Sequence, residues 1–142
     1  MSHQRLCVED LMSTAVVAVK ATTTIARAEL EMRVAGFRHL PVVDDHENLI
    51  GVLSNRDLLR ARQGRKRAST PVARVMTVAP RSVRPDTPAA EAVETMLAHK
   101  IGSLPVVGDD GRLVGMVTET DFLVVAQQAL RGIEPTAPRA EG

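Results

Sequence analysis

The chain has no tryptophan and no tyrosine, and Phe37 and Phe122 are its only phenylalanines. A core must therefore be built from Val, Leu, Ile, Met and Ala, and the aromatic platforms on which many single-strand nucleic-acid binders stack bases are missing. The single cysteine, Cys7, excludes an internal disulfide and fits a reducing compartment; near the terminus it reads as a small residue with no special role. No apolar run approaches the ~18 residues that a membrane span needs, and Met1–Glu9 carries no signal-peptide pattern. The expectation is a soluble cytoplasmic protein with no membrane partner. The formal net charge of +1 leaves no global footprint for DNA or RNA. His3, His39, His46 and His99 are scattered without metal-ligand spacing, and no Ser or Cys sits in a recognisable nucleophile motif. Neither a metal site nor a catalytic residue is expected, and the chain does not read as an enzyme.

What is present is a duplication. Leu40-Pro41-Val42-Val43 recurs as Leu104-Pro105-Val106-Val107, and Gly51-Val52-Leu53-Ser54-Asn55-Arg56-Asp57 answers Gly115-Met116-Val117-Thr118-Glu119-Thr120-Asp121. Met12, Thr23, Ala28, Met32, Asp45 and Leu49 meet identical residues at Met76, Thr87, Ala92, Met96, Asp109 and Leu113, every partner 64 positions on and without a gap. One copy alone would bury too little surface to be comfortably stable, so each is expected to close its core against the other. The 142 residues then divide into repeat 1 over 8–62, a basic linker over 63–71, repeat 2 over 72–131 and a disordered tail over 132–142.

Each repeat opens with a short helical turn, Val8–Met12 and Val72–Met76. An apolar strand follows, Ala15–Val19 and Ala79–Val83, the second an edge strand because of Pro80. Thr23 and Thr87 are the expected N-caps of the next helices, with Pro88 at the first helical position. The buried helix faces are expected to be Ile25, Ala28, Met32 and Ala35, and then Ala89, Val93, Met96 and the stem of Lys100. Two strands come next, Leu40–Val43 and Leu49–Leu53, matched by Leu104–Val107 and Leu113–Val117, where Asp110-Gly111 signals a hairpin. A last helix starts at Ser54 or Thr118. The fold class is α+β, each repeat running turn, strand, helix, strand, strand, helix.

The combination in both copies of a Leu-Pro-Val-Val strand, an acidic turn and Gly-x-x-Ser/Thr-x-x-Asp entering a helix resembles the cystathionine-β-synthase (CBS) domain family. The likeness covers about residues 8–128. It implies two repeats packed through their sheets with pseudo-two-fold symmetry, a homodimer of two such modules, and clefts that bind adenosine-containing ligands. On their own chemistry, Ser54-x-x-Asp57 and Thr118-x-x-Asp121 read as capping boxes; both readings can hold together, because a capped helix start also suits phosphate. By the resemblance, Asp57 and Asp121 would accept from ribose hydroxyls, while Ser54 and Thr118 would donate to an α-phosphate. Arg56 would offer phosphate a cation, or be a solvated surface arginine; Thr120 at the matching place offers a hydroxyl. Arg38 and His39 would join the Asp121 cleft, and Arg56 and Ser103 the Asp57 cleft, although His39 can equally be a strand-edge histidine. The adenine slots would involve Val16, Val17 and Pro80, and Gly51 and Gly115 would permit close approach of backbone and ligand.

The expected function is therefore a regulatory sensor. It would require no cofactor, take AMP, ADP or ATP (S-adenosylmethionine is less favoured) and act in trans on an unknown effector protein, because no output domain fits in the remaining residues. The alternatives are a ligand-free structural dimerisation module and, behind it, a nucleic-acid binder using the basic run Arg60, Arg62, Arg65, Lys66 and Arg67. That run also fits a solvated linker.

Overall fold

The computed structural model describes residues 5–133. The histidine at position 3 and the tail from 134 onward lie outside the described residues. The elements are α1 (Val8–Leu11), β1 (Val19–Lys20), α2 (Ile25–Ala35), β2 (His39–Val43), β3 (Leu49–Ser54), α3 (Asn55–Gln63), a 3-10 turn (Val72–Arg74), β4 (Thr77–Val78), α4 (Ala89–His99), β5 (Ser103–Val107), β6 (Leu113–Thr118) and α5 (Glu119–Leu130). The architecture is α+β, with a four-stranded sheet ordered β1-β2-β3-β4 and a two-stranded sheet β5-β6.

The chain forms two compact units, and they do not follow the repeats. The α2–α3 unit is Val17–Pro80 with Asp110–Leu113; the α4–α5 unit takes the remainder, including the N-terminal segment through Val16. The opening turn of each repeat is thus built into the unit of the other. Val8 N–H donates to the Thr87 carbonyl and Ala89 N–H to that of Leu6, both at 2.8 Å, so Val8 and Leu11 join Val83, Ala92, Met96, Leu104, Val106 and Val117 in one core. In the other unit Val72 N–H donates to Thr23 O at 2.8 Å and Ile25 N–H to Thr70 O at 2.9 Å, which seats Val72 among Val19, Ile25, Ala28, Met32, Leu40, Val42, Leu53, Leu58 and Ala61.

The expected apolar strand resolves into two separate pairings. Val19–Lys20 runs parallel to Val42–Val43, whereas residues 14–18 carry no strand. In the second copy Thr77–Val78 pairs antiparallel with β3, and only Val83 bridges to Val106. Pro80, which lacks an N–H, and Ala79 at φ 47° break the run between them. The helix starts also move. Thr24 and Pro88 are the N-caps; Thr24 Oγ1 accepts from Arg27 N–H at 3.2 Å. The hydroxyls of Thr23 and Thr87 instead close the preceding turns, accepting from Lys20 N–H at 3.1 Å and Arg84 N–H at 2.9 Å. Lys100 does not lie on the buried face of α4. It follows the helix in a left-handed conformation and is exposed, and the buried residues of α4 are Ala92 and Met96.

The basic linker is exposed but turned rather than free: Lys66 N–H donates to Ala61 O at 2.9 Å, and Ala26 N–H to Ala68 O at 3.1 Å. Arg62, in the last turn of α3 just before it, pairs with Glu29 at 2.8 Å.

Gly51 and Gly115 each face a crossing segment of the chain itself. A Cβ on Gly51 would stand 3.0 Å from Thr77 O and collide with the Met76 sulfur; on Gly115 it would stand 2.9 Å from Ser13 O and meet the Met12 sulfur. Gly51→Ala and Gly115→Ala should each destabilise the fold by about 1–3 kcal/mol through overpacking against a backbone that cannot retreat. Urea unfolding of the two variants checks this, and wild-type midpoints would refute the close approach.

Candidate functional site

Two carboxylates sit at equivalent places, each at the third position of a helix whose N-cap ends a strand. Ser54 closes β3 and caps α3; Thr118 closes β6 and caps α5. The β-branched and apolar run before each cap favours strand, and the hydroxyl at the cap satisfies helix N–H groups that lack a partner within the helix. Ser54 N–H donates to Asp57 Oδ2 at 2.9 Å, Ser54 Oγ lies 3.0 Å from the same oxygen, and Asp57 N–H donates back to Ser54 Oγ at 3.1 Å. Thr118 N–H donates to Asp121 Oδ2 at 2.8 Å, with Thr118 Oγ1 at 3.3 Å. The capping-box chemistry is present at both helix starts.

The two carboxylates differ in what else they meet. Asp57 is only 4 % exposed, and its second oxygen accepts from Thr77 Oγ1 at 3.3 Å. Thr77 escaped the sequence reading because nothing in its spacing from Asp57 suggests contact; the β3–β4 pairing, with Val52 opposite Thr77, brings it there. Its counterpart 64 positions earlier is Ser13, whose backbone exchanges hydrogen bonds of 2.8 and 2.9 Å with Met116. No described residue donates to Asp121 Oδ1, so that oxygen keeps its acceptor capacity. Asp121 is half-buried, and burial pushes its carboxyl above the usual aspartate value, against the lowering effect of the Thr118 N–H and hydroxyl.

The remaining sequence-derived candidates divide between the units. With Asp57 and Ser54 stand Arg38, His39, Arg56, Val17 and Pro80; with Asp121 and Thr118 stand Ser103, Thr120 and Val16. His39 lies opposite Ser54 in the β2–β3 register, at the edge of the Asp57 box. Arg38 is exposed and lines an open groove between α2 and α3 with Phe37 and Asn55. Arg56 is exposed in the first turn of α3, and Thr120 holds the same place on α5. Val16 and Val17 are half-buried, and Pro80 follows β4. No cluster of three His, Cys, Asp or Glu that could hold a metal occurs among the described residues, and no described helix is long and apolar enough to cross a membrane.

Comparison with known proteins agrees with this geometry. The family model for the CBS domain matches residues 8–64 and again 72–127. A CBS domain-containing protein of Dictyostelium discoideum is 30% identical over 142 residues, covering 92% of this chain and 98% of its own. Among solved structures, the CBS domain pair of protein MJ0100, in complex with 5′-methylthioadenosine and S-adenosyl-L-methionine, has TM-score 0.81 at 25% identity and covers 89% of this chain and 99% of its own. CBSX2 in complex with AMP has TM-score 0.80 at 32% identity, covering 88% and 98%. With both matches falling on the two copies of the repeat, each carrying its Ser/Thr-x-x-Asp box, the chain belongs to the CBS domain family as a tandem pair.

Proposed function

We propose that this chain is a regulatory module that binds an adenosine-containing ligand and passes the signal in trans to a separate effector protein, as a self-associating, non-catalytic component of the cytoplasm. The observation that carries the reading is the unused oxygen of Asp121. A half-buried carboxylate oriented by its own helix cap and open on one oxygen is suited to accept the hydrogen bonds of a ribose diol. Asp57 offers less, because Thr77 already occupies its second oxygen and the residue is almost wholly covered. The ligands bound by the AMP and S-adenosylmethionine complexes of similar CBS pairs support the same chemical class.

Charge bears on the ligand's tail. AMP, ADP and ATP are supported in the α2–α3 unit, where Arg56 stands beside Asp57. The first turn of α5 holds Glu119 and Asp121 without Lys or Arg, which weighs against phosphate there and favours the cationic S-adenosylmethionine. The signal itself is linkage: a ligand with different affinity for two arrangements of the chain shifts their populations by that difference.

Isothermal calorimetry of the full chain against AMP, ADP, ATP and S-adenosylmethionine should show micromolar binding of one of them. Binding of S-adenosylmethionine should be lost in Asp121→Asn and retained in Asp57→Asn, whereas a phosphorylated nucleotide held beside Arg56 should be lost in Asp57→Asn. Silence from all four would favour the alternative of a ligand-free dimerisation module, and the reverse pattern would move the ribose to Asp57.

The pH dependence has a definite sign. A raised carboxyl binds its proton more tightly in the folded state, so its contribution to stability is complete below the unfolded pKa and is lost as pH rises through the folded one. A ribose diol donates to the ionised carboxylate and pulls the pKa back down. Affinity for S-adenosylmethionine should therefore rise with pH through Asp121's elevated range and then level off, and the slope should vanish in Asp121→Asn. A flat titration of the wild type would overturn the role given to this carboxylate.

A further inference from the structure

The basic run Arg65-Lys66-Arg67 leads, after Ala68, into a serine whose side chain has no partner in the fold. Residues 62–69 are all exposed. Arg62 is held by Glu29, but Arg65, Lys66 and Arg67 form no ion pair with a described residue. Ser69 makes no hydrogen bond to a described residue through its N–H, its carbonyl or its hydroxyl. Unpaired cations thus stand at the second, third and fourth positions before a free, exposed hydroxyl. That pattern suits a protein kinase whose substrate groove is lined by carboxylates, because charge complementarity at those positions is how such enzymes choose a serine.

No other described hydroxyl has this setting. Among the described Ser and Thr residues, Ser69 alone has three Lys or Arg within the four positions before it. Thr70 shares Lys66 and Arg67, but it is half-buried and its backbone is engaged on both sides. Its N–H donates to Arg67 O at 2.9 Å, and its carbonyl accepts from Ile25 N–H at 2.9 Å. The capping hydroxyls of Ser54 and Thr118 are taken up by their own aspartates, and no cation stands in the four positions before either.

We propose that Ser69 is a phosphorylation site, modified by a Ser/Thr protein kinase that reads the cations before it. Ser69 Oγ attacks the γ-phosphorus of a nucleoside triphosphate held by that kinase. The Oγ–P bond forms, the bond from the γ-phosphorus to the β,γ-bridging oxygen breaks, and the nucleoside diphosphate leaves. The hydroxyl proton passes to the kinase's carboxylate base. The product carries a charge of about −1.5 to −2 at neutral pH, in a place that accommodates it. Ala68 O accepts from Ala26 N–H at 3.1 Å and Thr70 O from Ile25 N–H, so Ser69 lies between two carbonyls bonded to the start of α2. The first turn of α2 holds no acid, and the positive end of the helix favours the new charge. The same segment runs on to Val72, which is fully buried in the core of this unit. A phosphate on Ser69 therefore fastens the linker to α2, and Val72 with it. Neither Asp57 nor Asp121 takes part, so modification and ligand binding are separable.

The probe is the catalytic subunit of cyclic-AMP-dependent protein kinase, which selects serines preceded by basic residues, with ATP and Mg²⁺. It should add one phosphate to the folded full chain by intact mass, and fragmentation of the tryptic peptide should place it on Ser69. Ser69→Ala should abolish incorporation, and Arg65→Ala with Arg67→Ala should slow it about tenfold or more. Phosphate on Thr70 instead, or a rate unchanged by loss of the arginines, would overturn the assignment. So would incorporation into the urea-denatured chain alone. The phosphorylated chain should melt about 1–4 °C above the unmodified one, with no rise in Ser69→Ala treated in the same way. A lower melting temperature would overturn the fastening on α2 and leave the acceptor in place.

Discussion

The structure depends on one close approach, made twice. A segment that follows a short helical turn lies flat on the strand that leads to the aspartate, and it fits only because Gly51 and Gly115 have no side chain there. The segment is supplied each time by the opposite repeat: Met76–Val78 covers Gly51, and Met12–Ser13 covers Gly115. The carboxylate environment follows from that placement, since Thr77 reaches Asp57 only because its backbone is paired with β3. The exchange also explains why a duplicated sequence forms a stable core. Val8 and Val72, both fully buried, each fill a unit that their own repeat does not complete.

Equivalent strand-to-helix junctions then carry different chemistry. At the position that covers the strand, threonine in one unit donates to the aspartate, and serine in the other leaves its aspartate with an open oxygen. Arg27, Arg56 and Arg60 are matched 64 positions on by Glu91, Thr120 and Val124. Burial and helix capping constrain the core and cap positions of the repeat, such as Ala28 with Ala92, Met32 with Met96, and Asp57 with Asp121. Solvent-facing positions were free to diverge, and their divergence is what gives the two units separate electrostatic character.

What was legible in the sequence was what local chemistry decides. The boxes Ser54-x-x-Asp57 and Thr118-x-x-Asp121, the strands around Leu-Pro-Val-Val, and the burial of Ile25, Ala28 and Met32 follow from caps, alternation and helical period, and all are present. The misplaced details have physical causes. Thr23 and Thr87 are not the helix N-caps, which are Thr24 and Pro88; their hydroxyls close the turns just before, a one-residue shift that side-chain type alone cannot detect. Helical period places the stem of Lys100 on the buried face, and this fails because the chain turns left-handed after His99. The exchange of opening segments was not legible, because the Val72–Thr23 and Val8–Thr87 hydrogen bonds join residues about fifty to eighty positions apart and leave no mark on local pattern. Thr77 was missed for the same reason.

The exchange also determines where the backbone passes from one unit to the other. The backbone leaves the α4–α5 unit between Val16 and Val17 and leaves the α2–α3 unit between Pro80 and Arg81. The residues just before these crossings, Ser13 and Thr77, are those laid on the strands that end at the helix caps. A ligand that tightened the Asp121 box would hold the Ser13–Met116 pairing more firmly, and that pairing anchors the segment whose next ordered strand, Val19–Lys20, lies at the edge of the other unit's sheet. Were the proposed ligand bound at Asp121, the backbone through Val16–Val17 would be the covalent path from that unit to the other. Residues 14–18, on that covalent path, make no regular strand.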